Sequence, residues 1–191
     1  MKVYLIRHGQ SETNLSGKRA GQSDVKLTEQ GYKDALEARR KLLGIKFDRV
    51  FSSDLSRALE TARTALPGVE PEKVSDIREI DVGKIAGHTE AECVEMFGDL
   101  WTENYPKHNY AAFGGENIPM LKERVYRFMR FLETIENCEN VAVFAHGGSI
   151  RSMLCYAFQA DIEWNRFHTG NCGVSVLEYK DGYWSVWSFN N

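Results

Sequence analysis

No stretch of 18 consecutive apolar residues occurs anywhere in this 191-residue chain, which excludes a membrane-spanning helix. A single Lys followed by four apolar residues at the start is too short for a signal-peptide core. The four cysteines (Cys93, Cys138, Cys155 and Cys172) form neither a C-x-x-C pair nor a zinc-like spacing, so they read as reduced, mostly buried thiols and the expected compartment is the cytoplasm. The chain lacks G-x-x-x-x-G-K-[ST] and G-x-G-x-x-G, which argues against a P-loop NTPase or a dinucleotide site. The stretch His146-Gly147-Gly148-Ser149-Ile150 is not G-x-S-x-G and gives no serine-hydrolase elbow. A net charge of only −3 provides no global field for nucleic acid or an anionic membrane, so neither is an expected partner. An anionic small molecule would have to be captured by a local cluster of cations. Internal repeats, low-complexity tracts and linkers are absent too, and the length fits one domain spanning residues 1–191.

What is present begins with Arg7-His8-Gly9, at the end of the apolar run Val3-Tyr4-Leu5-Ile6. A second His-Gly pair, His146-Gly147, ends the run Val141-Ala142-Val143-Phe144-Ala145. Short apolar runs bounded by Gly read as buried strands of a parallel sheet. Further strand-like runs lie near 49–52 and 72–75, and helical patterns fall between them. Thr28 is a plausible N-cap for a helix with Tyr32, Ala35, Leu36, Leu42 and Leu43 at helical spacing, stopped by Gly44. Asp54 or Ser56 is expected to cap a helix running to Ala65, before Pro67. Thr89 to Glu92 forms a capping box for a short helix ending by Gly98. Leu121, Val125, Phe128, Leu132 and Ile135 make the best amphipathic stripe, Ser149 to Phe158 a further helix, and residues 173–189 a hairpin about Asp181-Gly182. Strands alternating with helices imply an α/β layer structure around a mainly parallel sheet. The irregular segment from about 76 to 118 is long for a compact domain and is expected to cover or shape the site.

In open α/β sheets ligands bind at the carboxyl ends of strands, where helix N-termini offer free N–H groups to anions. Two imidazoles at such ends, one beside a guanidinium, describe a phosphate site with a nitrogen nucleophile. His8 leads because a neutral imidazole is a competent nucleophile near pH 7. Arg7, Arg57 and His146 would neutralise the non-bridging oxygens, the main demand of phosphoryl transfer. Glu79 is the candidate proton donor to the leaving oxygen, and spacing alone leaves Asp81 and Glu116 as competitors. Asn14 and the backbone N–H groups around Gly9, Gly21 and Gly147 are further phosphate donors. Trp101, Tyr105, Tyr110 and Phe113 are available to stack on an aromatic or sugar group of a substrate, although as core residues that cover the surface they need no ligand. A metal held by His8 and His146 is disfavoured because Arg7 would repel a cation.

These residues resemble the histidine phosphatase superfamily, the phosphoglycerate mutase-like group. Arg7-His8-Gly9-Gln10-Ser11-Glu12-Thr13-Asn14 is similar to its R-H-G-x-[TS]-x-x-N opening, and Asp24 to Gly31 to its D-x-x-L-T-x-x-G segment. Ser53 to Ala62 is similar to S-D-L-x-R-A-x-x-T-A, Arg78 to Gly83 to the stretch with the acid carboxylate, and Ala145 to Arg151 to the second-histidine motif. The matches come in family order and span most of the chain. The resemblance implies a three-layer αβα sandwich and a metal-free, cofactor-free reaction. By position, His8 would accept the phosphoryl group, and Arg7, Arg57 and His146 would bind it with Asn14 and the Gly21 and Gly147 backbone. Glu79 would protonate the leaving oxygen and later activate water. The chain departs from the family at Gly83-Lys84-Ile85-Ala86-Gly87, which lacks the usual Trp and Glu, and at Ala20, where many relatives carry a polar side chain.

Hydrolase and mutase share the phosphohistidine step and differ in what accepts the phosphoryl group. Mutases of this family carry paired arginines between the acid and the second histidine, and Trp101 to His108 has none. The expectation is therefore a phosphatase acting on a small phosphorylated metabolite, a reading compatible with a homodimer. The alternatives are phosphoglycerate mutase activity and a non-catalytic phosphate-binding module.

Overall fold

Each of the two apolar runs that flank a His-Gly pair has apolar residues at consecutive positions, and both of its faces are buried. The computed structural model describes residues 1–159 and 163–191. The runs become β1 (Lys2–Arg7) and β4 (Asn140–Ala145), adjacent and parallel at the centre of a six-stranded sheet. The sheet order is β3-β2-β4-β1-β5-β6, with β2 at Arg49–Ser52, β3 at Glu72–Lys73, β5 at Val174–Lys180 and β6 at Tyr183–Ser188. The first four in that order are parallel, while β5 and β6 are antiparallel additions beside β1. The expected hairpin is thus part of the same sheet. Its turn takes positive φ at both Asp181 and Gly182, as a tight two-residue hairpin requires. The strand expected near 72–75 is shorter, pairing with β2 only at Glu72 and Lys73.

Period-two alternation splits the strand residues between two cores. Val3, Leu5, Val141 and Val143 pack with Leu121, Val125, Phe128 and Met129 of α6 (Ile118–Glu133) and with Ile150 and Met153 of α7 (Gly147–Phe158). Ile6, Ala142 and Phe144 face the other way, onto Ala35 and Ala38 of α2 (Glu29–Lys41) and Ala62 and Ala65 of α3 (Ser56–Ala65). The result is an αβα sandwich with a mixed, mainly parallel sheet. Three shorter helices are α1 (Glu12–Ser16), α4 (Glu90–Phe97) and α5 (Asp99–Asn104). No helix among the described residues is long and apolar enough to cross a membrane.

Local expectations hold at Thr28, which caps α2, and at the Thr89–Glu92 capping box of α4. The buried face of α2 differs from the expected stripe: Gly31, Ala35 and Ala38 face inward, while Tyr32, Leu36 and Leu43 are exposed. Small residues let α2 and α3 pack closely, so the bulky ones are left outside. Neither Asp54 nor Ser56 caps α3, whose N-cap is Leu55 without a side-chain bond. Asp54 instead takes a two-pronged pair from Arg78, and Ser56 bonds Asp24. Helix α7 starts two residues earlier than expected, at Gly147, which puts His146 at its N-cap.

Candidate active site

Strand register alone brings the two histidines together. Arg7 pairs with Ala145 as the last rung between β1 and β4, so His8 and His146 leave the sheet side by side. Their ring centroids lie 5.1 Å apart. The turn after His8 is held from three sides. The His8 N–H donates to the Ala145 carbonyl (3.0 Å), and the Gly9 N–H to Thr61 Oγ1 (3.0 Å), whose own hydroxyl donates to the Arg57 carbonyl (2.7 Å). A Cβ at Gly9 would overlap the Gly31 carbonyl oxygen, so α2 approaches this turn closely only because both residues are glycine.

Beyond the strand ends lies a cavity of about 270 Å³, lined by Arg7, His8, Asn14, Gly21, Arg57, Glu79 and Gly147 among others. All the expected site residues but His146 line this one space; His146 is fully buried, its ring centroid 5.1 Å from that of His8. Arg7 donates from Nη1 to the Thr169 carbonyl. Arg57 is buried and donates to the carbonyls of Ser23 (2.9 Å) and Gly21 (2.8 Å). Both guanidiniums are thus fixed from behind by backbone, with their Nε atoms unpartnered among the described residues. Gly147, the first residue of α7, contributes a helix N-terminus whose leading N–H groups have no intrahelical partner. The Asn14 Oδ1 accepts from the Ser11 N–H (3.1 Å), which turns the amide so that its NH2 is left as the donor.

The electrostatics favour a neutral nucleophile. Burial first, then the Arg57 and Arg7 charges, push the His8 imidazole well below its usual range. Its Nδ1 lies 2.7 Å from the Gly9 carbonyl, which can only accept, so Nδ1 carries the proton and Nε2 the free lone pair. Burial, Arg57 and His8 push His146 down in the same way, and neither of its ring nitrogens has a hydrogen-bond partner among the described residues. Burial lowers Arg57 to about 10, with Glu79 and Asp24 opposing, so it stays cationic at neutral pH.

Among the described residues, Glu79 is the one carboxylate lining the cavity. The Gly148 N–H reaches both its oxygens (3.0 and 3.1 Å), and the Ile80 N–H donates to Oε1 (2.9 Å). The two competitors do structural work elsewhere. Asp81 accepts from the Gly83 N–H, and Glu116 takes both prongs of Arg124 at 2.8 and 2.7 Å. Arg124 in turn donates to the carbonyls of Asp76, Arg78 and Glu79, which fixes the backbone carrying Glu79.

Of the two readings of the aromatic residues, the core one holds for Trp101 and Phe113. Trp101 and Phe113 are buried in the core, and Trp101 stacks on Tyr105 at 4.0 Å. Of the four rings proposed to meet a substrate, only Tyr110 lines the cavity. Lys18, Arg19, Arg151, Trp164 and Thr169 line it as well and had not been singled out. Arg151 was legible, being three residues after Gly148 on the same helix face. Arg19, Trp164 and Thr169 come from irregular segments with no period to read.

An α/β sheet edge that presents imidazole, guanidinium and helix N–H groups to one cavity is a site built for a phosphate group. The sequence matches the profile of the histidine phosphatase superfamily (branch 1) over residues 3–191, and the chain belongs to that family. It is similar to the 2,3-bisphosphoglycerate-dependent phosphoglycerate mutase 2 of Latilactobacillus sakei (33% identical, covering 81% of this chain and 83% of the relative). The fold matches the α-ribazole phosphatase of Shigella flexneri at TM-score 0.92, with 21% identity over 100% of this chain and 96% of the other. It also matches a phosphoserine phosphatase from Entamoeba histolytica, in complex with 3-phosphoglyceric acid, at TM-score 0.83 (29% identity, 100% and 96% covered).

Proposed function

We propose that this protein is a phosphatase that hydrolyses a small-molecule phosphomonoester through a phosphohistidine on His8. The observation that carries this reading is His8, its Nδ1 engaged by the Gly9 carbonyl and its Nε2 left free, lining a cavity with Arg7, Arg57 and, among the described residues, one carboxylate, Glu79. In the first step Nε2 attacks phosphorus and the ester P–O bond breaks. Glu79 gives its proton to the leaving oxygen, which departs as the alcohol. In the second step water attacks phosphorus, Glu79 takes its proton, and the P–N bond breaks to release inorganic phosphate. Arg7, Arg57, His146, Asn14 and the Gly147 N–H hold the oxygens of the transferring group. The backbone anchors of Arg7 and Arg57 mean this geometry exists before the substrate arrives. The segment 76–118 serves as one wall of the site, contributing Glu79, Ile80, Val82 and Tyr110. No metal or cofactor enters these steps, and the four free thiols suit a cytoplasmic enzyme.

The second reading, a phosphoglycerate mutase, is favoured by the mutases among the relatives at about a third identity. Against it stands the absence of paired arginines in Trp101 to His108. Phosphate release from p-nitrophenyl phosphate is expected to survive EDTA; complete loss on chelation would overturn the metal-free step. Acid-labile phosphate label is expected on the wild type and not on His8→Ala. Conversion of 3- to 2-phosphoglycerate without net phosphate release would select the mutase instead.

A further inference from the structure

One hydroxyl at the site has no part in the steps above. Thr169 lines the cavity, is 3% exposed, and has a buried Oγ1 with no hydrogen-bond partner among the described residues. A buried hydroxyl without a partner forfeits the bonds it would make to water, so each one calls for a reason.

Its neighbours identify the chemistry. A methyl group built on Gly147 would lie 3.1 Å from Thr169 Oγ1, 3.7 Å from Arg7 Nε and 3.9 Å from Arg7 Cζ. The hydroxyl and the guanidinium therefore flank the first residue of α7, on the side where a glycine leaves room. Arg7 Nε is buried and unpartnered among the described residues as well. Gly147 opens a 12-residue helix whose first N–H groups have no intrahelical acceptor. An unused hydroxyl, an unused guanidinium N–H and the positive end of a helix thus gather around one point. A guanidinium and a backbone N–H can only donate, so the group that serves all three is an anionic oxygen.

The loop carrying Thr169 is stitched to the strand of the nucleophile. The Thr169 carbonyl accepts from Arg7 Nη1, the Cys172 N–H donates to the Arg7 carbonyl (3.1 Å), and the Arg7 N–H donates to the Gly173 carbonyl (3.3 Å). Asn171 Nδ2 donates to the His8 carbonyl at 3.1 Å. The Gly170 N–H donates to Asn190 Oδ1 at 2.7 Å, which ties the loop to the segment after β6. None of these bonds uses the Thr169 hydroxyl, so the loop is placed without it.

Resting on the phosphatase reading above, we infer that the Thr169 hydroxyl is a further ligand of the transferring phosphoryl group. It donates to a non-bridging oxygen that it shares with Arg7 and the N-terminus of α7. A neutral donor adds a hydrogen bond there without adding a like charge beside Arg7 and Arg57. The hydroxyl also rotates, so it follows the oxygen as the group passes from the ester to His8 and then to water.

Two pairs of proteins isolate the hydroxyl: wild type against Thr169→Val, and Thr169→Ser against Thr169→Ala. The backbone bond from residue 169 to Arg7 is kept in all four. Losing one preorganised donor costs roughly 10²–10³-fold in other enzymes, and cations share the task here. Within each pair, kcat/KM for p-nitrophenyl phosphate is therefore expected to fall by at least about fivefold, mostly in kcat. The dissociation constant of orthovanadate, measured by calorimetry, should rise with it, because that probe presents the same oxygens at a five-coordinate centre. Urea midpoints report folding, so a variant that fails to fold removes only its own pair. A smaller fall in a pair that folds overturns the contact, as does a fall in kcat/KM with the orthovanadate constant unmoved. Failure to fold in both pairs overturns it too, since the loop would then need the hydroxyl for its structure. If the wild type releases no phosphate yet orthovanadate binding depends on the hydroxyl, the contact stands and the phosphatase reading falls. Phosphate release at one rate by all four proteins does the reverse.

Discussion

The two pairs of arginines around the cavity are held in opposite ways. Arg57 is held by the backbone carbonyls of Ser23 and Gly21, and Arg7 by that of Thr169. Arg19 lies over the face of Tyr105, donates from Nη2 to the hydroxyl of that ring and pairs with Glu90 at 3.6 Å, while Arg151 lies over Trp164; neither side chain bonds a backbone carbonyl among the described residues. A ring face holds a guanidinium with less directional constraint than a hydrogen bond to a backbone carbonyl does. The inner pair is therefore suited to a transition state, where charge appears at one place and reorganisation would raise the barrier. The outer pair is suited to a ground-state group whose position varies between substrates.

The comparison is broken most severely at its centre. His8→Ala should lower kcat for p-nitrophenyl phosphate by at least about 10⁴-fold, since nucleophile removal in other enzymes costs roughly 10⁶; a loss under tenfold would mean phosphate leaves by a route without Nε2. Arg57→Gln should lower kcat by on the order of 10²–10³-fold with a smaller change in KM, because the lost donor acts on developing charge. Steady-state kinetics on the folded variant checks this, and an effect confined to KM would place Arg57 with the outer pair. Gly148→Ala is the third step down. Its new Cβ would collide with Glu79 Oε1 and displace the proton donor, so kcat should fall by roughly 10²-fold, within the range general acid catalysis supplies. Tyr105→Leu, which takes the ring from beneath Arg19, should raise KM for an anionic substrate a few-fold and leave kcat nearly constant; a loss carried by kcat would contradict the division.

The smallest effect is on stability. His8, His146 and His108 are all held below the ordinary histidine range in the folded state, chiefly by burial. Between their folded pKa values and about 6.5 the unfolded chain binds more protons than the native one, so stability rises with pH through that window and levels off above it. Urea midpoints should climb from pH 5 to about 6.5 and then flatten. The carboxylates with shifted values, such as Asp54 and Glu116, are lowered and titrate beneath this window, so they leave it to the histidines. A flat profile from pH 5 to 7 would show that the imidazoles are charged when folded.

How much of this was legible is clear from particular residues. The two His-Gly pairs announced themselves because a short apolar run ending in Gly has few other uses. The two-faced cores followed from the same runs, as did the amphipathic stripe of α6, borne out by buried Leu121, Val125, Phe128 and Leu132. Helix capping was readable at Thr28 and Thr89, where the cap bonds its own helix, and misread at Asp54 and Ser56, whose partners Arg78 and Asp24 are distant in sequence. For Trp101 and Phe113 core and substrate stacking both stay open in the sequence, because an aromatic ring in an irregular segment looks alike whether it faces a cavity or a core; the fold puts both in the core. Spacing left Asp81 and Glu116 open beside Glu79, and the family resemblance favoured Glu79; the fold engages Glu116 with Arg124 and Asp81 with the Gly83 N–H.

The sequence by itself determined the sheet, its helices and the chemical kinds of group gathered at its edge, because periodicity and local capping are properties of neighbours along the chain. Tertiary structure alone decided which nitrogen of His8 is free. It also decided that Arg19, Arg151, Trp164 and Thr169 line the cavity. Each of those outcomes depends on what a side chain meets across the fold: a carbonyl, a ring face or a counter-ion supplied by a remote segment. No local pattern encodes which of these it will be.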